Sequence, residues 1–384
     1  MTRVRVMLRR AWLPALGVAA LIGIVIAVNP LSLWRVIERV SIPQLLLMLP
    51  MVAGVYVFRA LAWWVTLRQL GVPIGPLRAI RVLVAARPLV FLPFGELGRV
   101  AVLQAVQPSE VDGGQLIGTV AFQELIYLTL MGLALLPGLA TYPGLDAAVA
   151  LLLLLELSIV LVLFWERAYV RAVRVVEHVG VFRRFDCELL QIRTGFLRLF
   201  HGETLAATVG LNVAAVALAF ALFEQSLHAV GATRVGFAQA AMVYALAFLL
   251  SSLSFLPGSL GAYEGIMTFF MAVQGVPPAQ GAAAALLYRG MNDLLTAAIG
   301  TALILPLRSR LSRGGVRPSG GGEPAVPGGE EVAIGEEVQH PPRRREPFLR
   351  DLPQRPRPGM GPAGAPGDGV RPATDHLEEG ERVV

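Results

Sequence analysis

The sequence predicts an all-α fold, a polytopic bundle of transmembrane helices with about seven or eight spans and two interrupted segments. The chain of 384 residues is 55% hydrophobic and has a mean hydropathy of +0.63, far above that of a soluble domain. Several apolar runs reach or approach the roughly 20 residues that cross the hydrocarbon core of a bilayer. The formal net charge of +6 comes from arginines in short loops beside those runs, which is typical of oriented membrane proteins and argues against nucleic-acid binding.

The apolar runs predict the individual spans in chain order. A basic N-terminus precedes the first run and predicts a cytoplasmic start; a signal peptide is the alternative, although no clear cleavage site follows. The second run carries Trp63 and Trp64 near its end, as in an interfacial aromatic belt. The apolar part of the next segment, 82–94, is too short to cross alone. The predicted spans are 11–28, 43–67, 115–137, 147–165, 205–227, 237–256, 257–276 and 279–306.

Two regions outside the spans are predicted to lie in the cytosol. Residues 166–203 are rich in arginine and place apolar side chains such as Ile192 and Phe196 at helical spacing, which predicts an interfacial or cytosolic pair of amphipathic helices. A soluble helical hairpin packed on the membrane domain is the alternative. Residues 308–384 are rich in Gly, Pro, Arg and Glu and predict a disordered tail after a transmembrane domain at 1–307. Both termini are therefore expected in the cytoplasm of a multi-pass protein of the cell (plasma or inner) membrane.

The cytoplasmic placement of 166–203 and of the tail makes the number of crossings between them even. Spans 205–227, 237–256 and 279–306 supply three, so 257–276 is expected to supply a fourth. The first interrupted segment has no such constraint, and it either dips and returns or crosses. With every span complete, both interruptions lie towards the cytoplasm, which does not fit a simple inverted repeat.

The chain interrupts its apolar pattern twice with the same residue types, in 91-FLPFGELGR-99 and in 255-FLPGSLGAYEG-265. Pro and Gly break a helix and free backbone groups that hydrocarbon cannot satisfy, so such breaks are tolerated only where they line a cavity or face protein. One interrupted segment in each half indicates a transporter-type binding site near the middle of the bilayer. A chance match in a chain rich in Leu and Gly is the alternative. The aligned break residues are Pro93, Gly95 and Gly98 in the first segment and Pro257, Gly258 and Gly261 in the second.

Ionisable residues at membrane depth form the candidate site. Each costs about 2.5–3.5 kcal/mol on insertion scales, so such residues tend to be paired or functional. Arg289 and Asp293 are four residues apart on one helix face and could form an ion pair, and Glu96 with Arg99 could close a local bridge. Glu124 lies in mid-span with no partner visible in the sequence. The candidate substrate-binding residues are Glu96, Arg99, Glu124, Glu264, Arg289 and Asp293.

Composition excludes several other classes of site. All 33 basic residues are arginine, so the chain has neither the lysine of a Walker-type phosphate loop nor a Schiff-base lysine. The single Cys187 cannot form an internal disulfide, and the five histidines show no metal-ligand spacing. No metal and no cofactor are therefore expected. Three further charged residues are expected to snorkel or to neutralise one another rather than to form a site: Arg59, Glu156 and Glu224.

The charged and glycine-containing segments resemble one family. Four parts of the chain are similar to the membrane domain of lysylphosphatidylglycerol synthases and to its stand-alone relatives of uncharacterised or flippase-like role: PFGELGRVAVL at 93–103, Glu124, LPGSLGAYEG at 256–265 and GVPPAQGAAAALLYRG at 275–290. The similarity runs over about residues 11–307. It implies an all-helical membrane fold that moves or handles phospholipids or lipid-linked sugars.

The most specific parts of the resemblance are a P-x-G-E-x-x-R box that ends at Arg99 and a Pro-Gly…Gly…Glu box that ends at Glu264, followed by Arg289. Two positions depart from the family pattern. Leu125 and Tyr263 stand where the family commonly has an arginine, so any role that rests on those two arginines is in doubt in this chain.

The expected function is that of a flippase or transporter for an anionic lipid head group. Arg99 and Arg289 would contact the phosphate, because a guanidinium matches phosphate bidentately, while Glu96 and Glu264 would orient them or bind an amine or a coupling proton. The glycines at the breaks would permit close backbone turns. Membrane lipids are therefore the expected partners.

Two alternatives belong to other classes. A membrane-embedded lipid transferase would use Glu96, Glu124 or Glu264 as a general base. A non-transporting scaffold would dock a soluble or membrane-bound lipid-modifying enzyme through residues 166–203. The family's synthases also carry a soluble aminoacyl-transferase domain, for which no room is expected after Leu307, so lipid aminoacylation by this chain alone is not expected and the chain is not expected to be an enzyme.

Overall fold

The computed structural model describes residue 17 and residues 19–92, 95–107, 111–138, 145–177, 186–252 and 257–307. The remaining residues lie outside the described part, together with the predictions made for them, which concern Pro93 and the tail at 308–384. The described part is helical and contains no strand, so the predicted all-α bundle is confirmed.

The α-helices follow the apolar runs and the breaks between them. Proline occupies the first turn of several helices, where its fixed φ suits a helix start and its missing N–H is not needed. The α-helices are α1 (Ala19–Ala27), α2 (Pro30–Ile37), α3 (Ile42–Gln69), α4 (Pro76–Ala86), α5 (Gly98–Val106), α6 (Gly113–Ala134), α7 (Leu145–Phe164), α8 (Glu166–Glu177), α9 (Asp186–Arg198), α10 (Gly202–Ala229), α11 (Phe237–Ser252), α12 (Ala262–Val273), α13 (Pro278–Arg289) and α14 (Leu295–Ile304).

Within the described ranges, three helices are long and apolar enough to cross a membrane: α3, α6 and α10, which match the predicted spans 43–67, 115–137 and 205–227. Two bent helix pairs raise the number of candidates in the described part to five at most. These pairs are α1 with α2, bent by 87°, and most of α7 with α8, bent by 101°. The predicted span 279–306 is formed by α13 and α14, which a π-helical turn at Gly290–Leu294 joins.

The first interrupted segment dips into the bundle and returns. α4 leads inwards to a 3-10 turn at Arg87–Phe91, and α5 leads back. Gln107, directly after α5, donates a side-chain hydrogen bond to the carbonyl of Pro73, just before α4. The first leg of this first hairpin, α4, therefore starts beside the C-terminal end of α3, and the second leg, α5, ends there.

The second interrupted segment also returns to the end from which it starts. α11 leads inwards to the 3-10 turn at Pro257–Ser259, and α12 has only 12 residues, about 18 Å, against the roughly 30 Å of a hydrocarbon core. A Cβ on Gly231, before α11, would lie 3.6 Å from Nε2 of Gln280, after α12. Within the described residues, the separate crossing expected at 257–276 is thus replaced by half of a second hairpin. The total of seven or eight spans stays a prediction.

The two hairpins enter from opposite ends of the bundle. Thr204, at the start of α10, donates to Gln69, at the end of α3, over 3.2 Å, so these two packed helices are antiparallel. The order long helix, hairpin, long helix therefore occurs twice, at 42–134 and at 202–304, in opposite directions. In the sequence analysis, four complete crossings after 166–203 placed both interruptions on the cytoplasmic side, which did not fit an inverted repeat. A hairpin that goes only half-way and returns adds no crossing. The number of crossings after 166–203 is therefore still even, while the two hairpins enter from opposite ends.

The arginine-rich region packs on the bundle through α9. A Cβ on Gly118 of α6 would lie 2.6 Å from the Ile192 carbonyl oxygen, so the backbones of α6 and α9 are in close contact. Phe196 of α9 is fully buried, with its ring centre 5.5 Å from that of Phe122. This packing favours a helical hairpin held against the membrane domain over a helix lying free at the interface; its cytosolic placement stays a prediction.

Candidate functional site

The tips of the two hairpins touch inside the bundle. A Cβ on Gly258 would lie 2.6 Å from the ring of Phe91, and Gly258 has a φ of +60°, which favours glycine. The guanidinium of Arg289 donates a hydrogen bond to the Gly258 carbonyl. The structure thus brings together the two interrupted segments and holds the second tip with an arginine of α13.

The remaining break glycines also lie where space is short. A Cβ on Gly95 would lie 2.0 Å from the Leu89 carbonyl oxygen, and one on Gly98 would lie 2.7 Å from the Leu89 side chain. Gly261 has a φ of +80°, and its Cβ would lie 2.5 Å from that of Ala20 on α1. A side chain would therefore meet neighbouring atoms at each of these three glycines.

Glu124 of α6 pairs with two arginines from different elements. Its Oε1 lies 3.2 Å from Nη2 of Arg59 on α3 and 3.3 Å from Nη2 of Arg99 on α5. Arg99 is buried, donates to Oε1 of Gln123 over 2.9 Å, and lies 5.5 Å from the ring centre of Trp63. The local bridge considered between Glu96 and Arg99 is not formed, because Arg99 reaches across to α6 instead.

Arg87 connects the first hairpin to the π-turn. Its Nη2 lies 2.8 Å from Oδ1 of Asp293, and its Nη1 lies 3.4 Å from Oε1 of Glu96. Its guanidinium also stacks over the ring of Tyr56, with 5.1 Å to the ring centre. The Tyr56 hydroxyl donates to the carbonyl of Asn292 inside the π-turn over 3.0 Å. A π-turn commonly marks a functional position in a helix, and here it carries the carboxylate that Arg87 binds.

Arg289 joins the second hairpin to the same π-turn. Its Nε lies 3.0 Å from Oδ2 of Asp293, as the spacing of four residues predicts, and 3.4 Å from Oε1 of Glu264. Glu264 is 1% exposed, and its Oε2 accepts a hydrogen bond from the Gly261 N–H over 2.7 Å. Glu264 therefore caps the start of α12 and also contacts Arg289.

The ionisable groups form a balanced set. Four arginines face four carboxylates, so their formal net charge is zero. A phosphate that binds one of these arginines must therefore displace a carboxylate or another protein acceptor. We refer to this set as the charge network; its members are Arg59, Arg87, Arg99, Arg289, Glu96, Glu124, Glu264 and Asp293.

The charge network encloses very little space. Arg59, Arg87, Glu96 and Arg99 line a cavity of about 10 Å³. Such a volume holds about one water molecule and is far too small for a lipid head group. The cavity inside the charge network is therefore closed to anything larger than about one water molecule.

A cluster of tyrosines continues from the charge network. The hydroxyl of Tyr244 lies 3.2 Å from that of Tyr127 and 2.9 Å from that of Tyr288. Tyr263, one of the two departures from the family pattern, places its ring 5.1 Å from the guanidinium of Arg289, and its buried hydroxyl has no hydrogen-bond partner among the described residues. A tyrosine at this position therefore packs against Arg289 rather than adding a charge.

The sequence analysis missed Arg87 and set Arg59 aside. The expectation that Arg59 snorkels or pairs with Glu156 or Glu224 is wrong, since Arg59 lies at mid-helix depth and binds Glu124. Glu156 instead accepts a hydrogen bond from Thr129 over 3.2 Å. A signal for Arg87 existed, because this arginine lies inside an apolar segment too short to cross. Leu125 is the second departure from the family pattern. Glu124 already has two guanidinium partners, Arg59 and Arg99, so it needs no arginine at position 125.

Comparison with known proteins identifies the family. No curated protein matches the chain. The described part contains no group of three or more side chains that could hold a metal ion. The family model described as "Lysylphosphatidylglycerol synthase TM region" matches residues 12–300, a range that contains both hairpins and the whole charge network. The chain therefore belongs to the lysylphosphatidylglycerol synthase TM region family of multi-pass membrane proteins.

Proposed function

We propose that the protein is a flippase-type transporter that moves the head group of a phosphate-bearing lipid across the cell membrane. The observation that carries the proposal is the charge network at the point where hairpins from opposite ends of the bundle meet. Eight ionisable side chains at membrane depth cost about 2.5–3.5 kcal/mol each before pairing. An apolar contact between the tips would hold the bundle together without that cost, so the charges support a role in binding.

The chemistry of binding follows from the zero net charge. Guanidinium groups bind phosphate in the same bidentate manner as carboxylate, so a lipid phosphate can exchange for a carboxylate. Arg99 and Arg289 are the proposed phosphate ligands. Glu96 has the most exposed carboxylate side chain of the charge network, 35%, against 2% for that of Glu264. It is proposed to release Arg87 first, so that this guanidinium joins Arg99 and Arg289 in binding the phosphate. Glu264, which caps α12, would instead keep Arg289 in position.

The apolar surroundings offer a place for the lipid tails. A groove of about 290 Å³ runs along α13 as far as Gly290 and Met291, next to Arg289 in the chain. Its walls are apolar and include Leu45, Val230 and Leu286. A lipid with its acyl chains there would hold its head group beside the charge network. The sequence carries no nucleotide-binding motif, so transport would be passive or driven by an ion gradient or by the membrane potential, about 2.3 kcal/mol per charge per 100 mV.

Reconstituted liposomes test the proposal. Leaflet-labelled phosphatidylglycerol and phosphatidylcholine are followed with wild-type protein, with Arg289→Gln and with Glu96→Gln. Glu156→Gln is the matched control, because it removes a carboxylate from an apolar helix outside the charge network. Wild type and control are expected to translocate lipid and both network variants to lose it while remaining monodisperse. Translocation by folded Arg289→Gln at the wild-type rate, or none by wild type with any lipid class, overturns the proposal.

A scaffold for a lipid-modifying enzyme is the second candidate, favoured by the surface of α8. Arg167 and Arg171 are exposed there, next to Trp165, which is 64% exposed. Such a basic and aromatic face suits an acidic partner surface. Absence of lipid translocation, together with loss of a partner enzyme's activity when both arginines are replaced by Gln, would favour this function.

The chain is proposed not to be a lipid transferase by itself. Glu96, Glu124 and Glu264 each pair with at least one arginine, and the cavity beside Glu96 holds about one water. None of the three carboxylates is therefore presented to a substrate as a general base. Product formation from a lipid-linked donor by the purified chain would contradict this.

A further inference from the structure

A second groove lies between α4, α5 and α14, away from the charge network. Its volume is about 250 Å³, about 25 times that of the cavity inside the charge network. Its walls are apolar and include Val82 and Ala85 of α4, Val102 of α5 and Leu303 of α14. Both legs of the first hairpin thus form this groove together with the last helix.

Two arginines stand at the mouth of this groove. Arg78 and Arg81 line it, are three residues apart on one face of α4, and are both exposed. Neither forms an ion pair with a carboxylate of the described ranges. This distinguishes them from the four arginines of the charge network, all of which are paired. An anionic ligand can therefore bind here without displacing a described protein carboxylate.

Arg78 and Arg81 lie near the end of α3, which carries residue types typical of the membrane interface. A connection at 70–75 joins the end of α3 to α4. Trp64 of α3 donates from Nε1 to the Ile74 carbonyl of this connection over 2.9 Å, and Arg68 stacks on the same ring. Trp and Arg at the end of a membrane helix are typical of the interface. With a rise of about 1.5 Å per residue, Arg78 and Arg81 lie within roughly 10 Å of the start of α4.

We propose that this groove is a binding site for an anionic glycerophospholipid, with the phosphate on Arg78 and Arg81 and an acyl chain between α4, α5 and α14. A free anion would leave the apolar groove unfilled. A zwitterionic lipid would bring its own cationic group close to two arginines, which repel it, whereas an anionic lipid brings only negative charge. Two arginines without carboxylate partners, next to an apolar groove, suit a lipid that has both an anionic head group and an acyl chain. The site does not depend on the proposed transport function, because binding at the rim requires no movement of the hairpins.

Lipid binding to the purified full chain tests the site. Protein in phosphatidylcholine nanodiscs is titrated with phosphatidylglycerol, and retained lipid is counted by native mass spectrometry. Arg78→Gln/Arg81→Gln is compared with Arg35→Gln/Arg234→Gln, which removes the same charge from exposed positions at the opposite end of the bundle. The first pair is expected to weaken binding by about 30-fold, the effect of two interfacial arginines, and the control pair by less than about twofold.

A groove-filling variant separates the lipid from a free anion. Val106→Trp at the half-buried rim, or Leu303→Trp if that variant misfolds, is expected to reduce phosphatidylglycerol binding while both arginines are intact. Inorganic phosphate is not expected to compete at equal concentration. Unchanged binding in the arginine double variant, equal loss in both double variants, or full competition by inorganic phosphate overturns the proposal. Loss of binding here with translocation retained, or the reverse, distinguishes this site from the proposed transport function.

Discussion

Removal of Arg87 tests whether the charge network acts as one unit. Arg87→Gln takes away the positive charge between Asp293, at 2.8 Å, and Glu96, at 3.4 Å. Removing one partner of a buried ion pair costs about 3–5 kcal/mol. Glu96 is a third exposed and Asp293 keeps Arg289 at 3.0 Å, so the lower end of that range applies, about 3 kcal/mol.

A double-mutant cycle isolates the pair. Asp293→Asn leaves an excess positive charge, whereas Arg87→Gln combined with Asp293→Asn restores a balanced network of three arginines and three carboxylates. The double variant is therefore expected to cost less than the sum of the single variants, by about 1–2 kcal/mol. The assay is the free energy of unfolding in mixed micelles, measured by tryptophan fluorescence as the fraction of denaturing detergent rises.

Arg87→Gln combined with Glu156→Gln is the control cycle. Glu156 lies on α7 and contacts Thr129, not Arg87, so these two changes should add within about 0.5 kcal/mol. Additive costs for Arg87 and Asp293 as well would refute the reasoning, because they would mean that the two side chains do not interact in the folded protein.

Further predictions concern packing and hydrogen bonds, with the free energy of unfolding as the common measurement. Gly95→Ala is expected to destabilise the protein by about 3 kcal/mol or more, because its Cβ would lie 2.0 Å from the Leu89 carbonyl oxygen. Gly210→Ala is the control: its Cβ would have nothing within 4 Å, so it should stabilise α10 by about 0.5–1 kcal/mol. Equal stability of the two variants would contradict the packing of the hairpin tip. Gly118→Ala should loosen α9 from α6 and raise hydrogen exchange in α9 before that in α6; unchanged exchange would speak against their contact. Tyr244→Phe should cost about 1–2 kcal/mol by leaving two buried hydroxyls short of a partner, and a neutral result would contradict the tyrosine chain.

The long spans and the positions of the breaks could be predicted because they depend on local sequence. α3, α6 and α10 each combine length with continuous apolar character. The break glycines stand out because Pro and Gly interrupt otherwise apolar runs. The ion pair of Arg289 and Asp293 follows from a spacing of four residues on one helix.

The direction of the hairpins could not be predicted from hydropathy. The forty residues at 237–276 are apolar enough for two crossings or for one hairpin at half depth, and only contacts of α12 with the rest of the bundle decide between these. The same holds for long-range pairs: Arg87 and Asp293 are 206 positions apart, and no local pattern relates them. Arg59 was set aside for the same reason, because its partner Glu124 is 65 positions away.

Thiol labelling from each side of the membrane tests most directly whether the two hairpins enter from opposite ends. Cys187, the only cysteine, is replaced by Ser, and single cysteines are placed at three exposed positions: Gly75 before α4, Thr233 before α11 and Pro277 after α12. A membrane-impermeant thiol reagent is applied to sealed vesicles of known orientation. Cysteines at 233 and 277 should react from one side and the cysteine at 75 from the other. Labelling of positions 233 and 277 from different sides would show that 257–276 crosses the membrane and would contradict the inverted pair of hairpins.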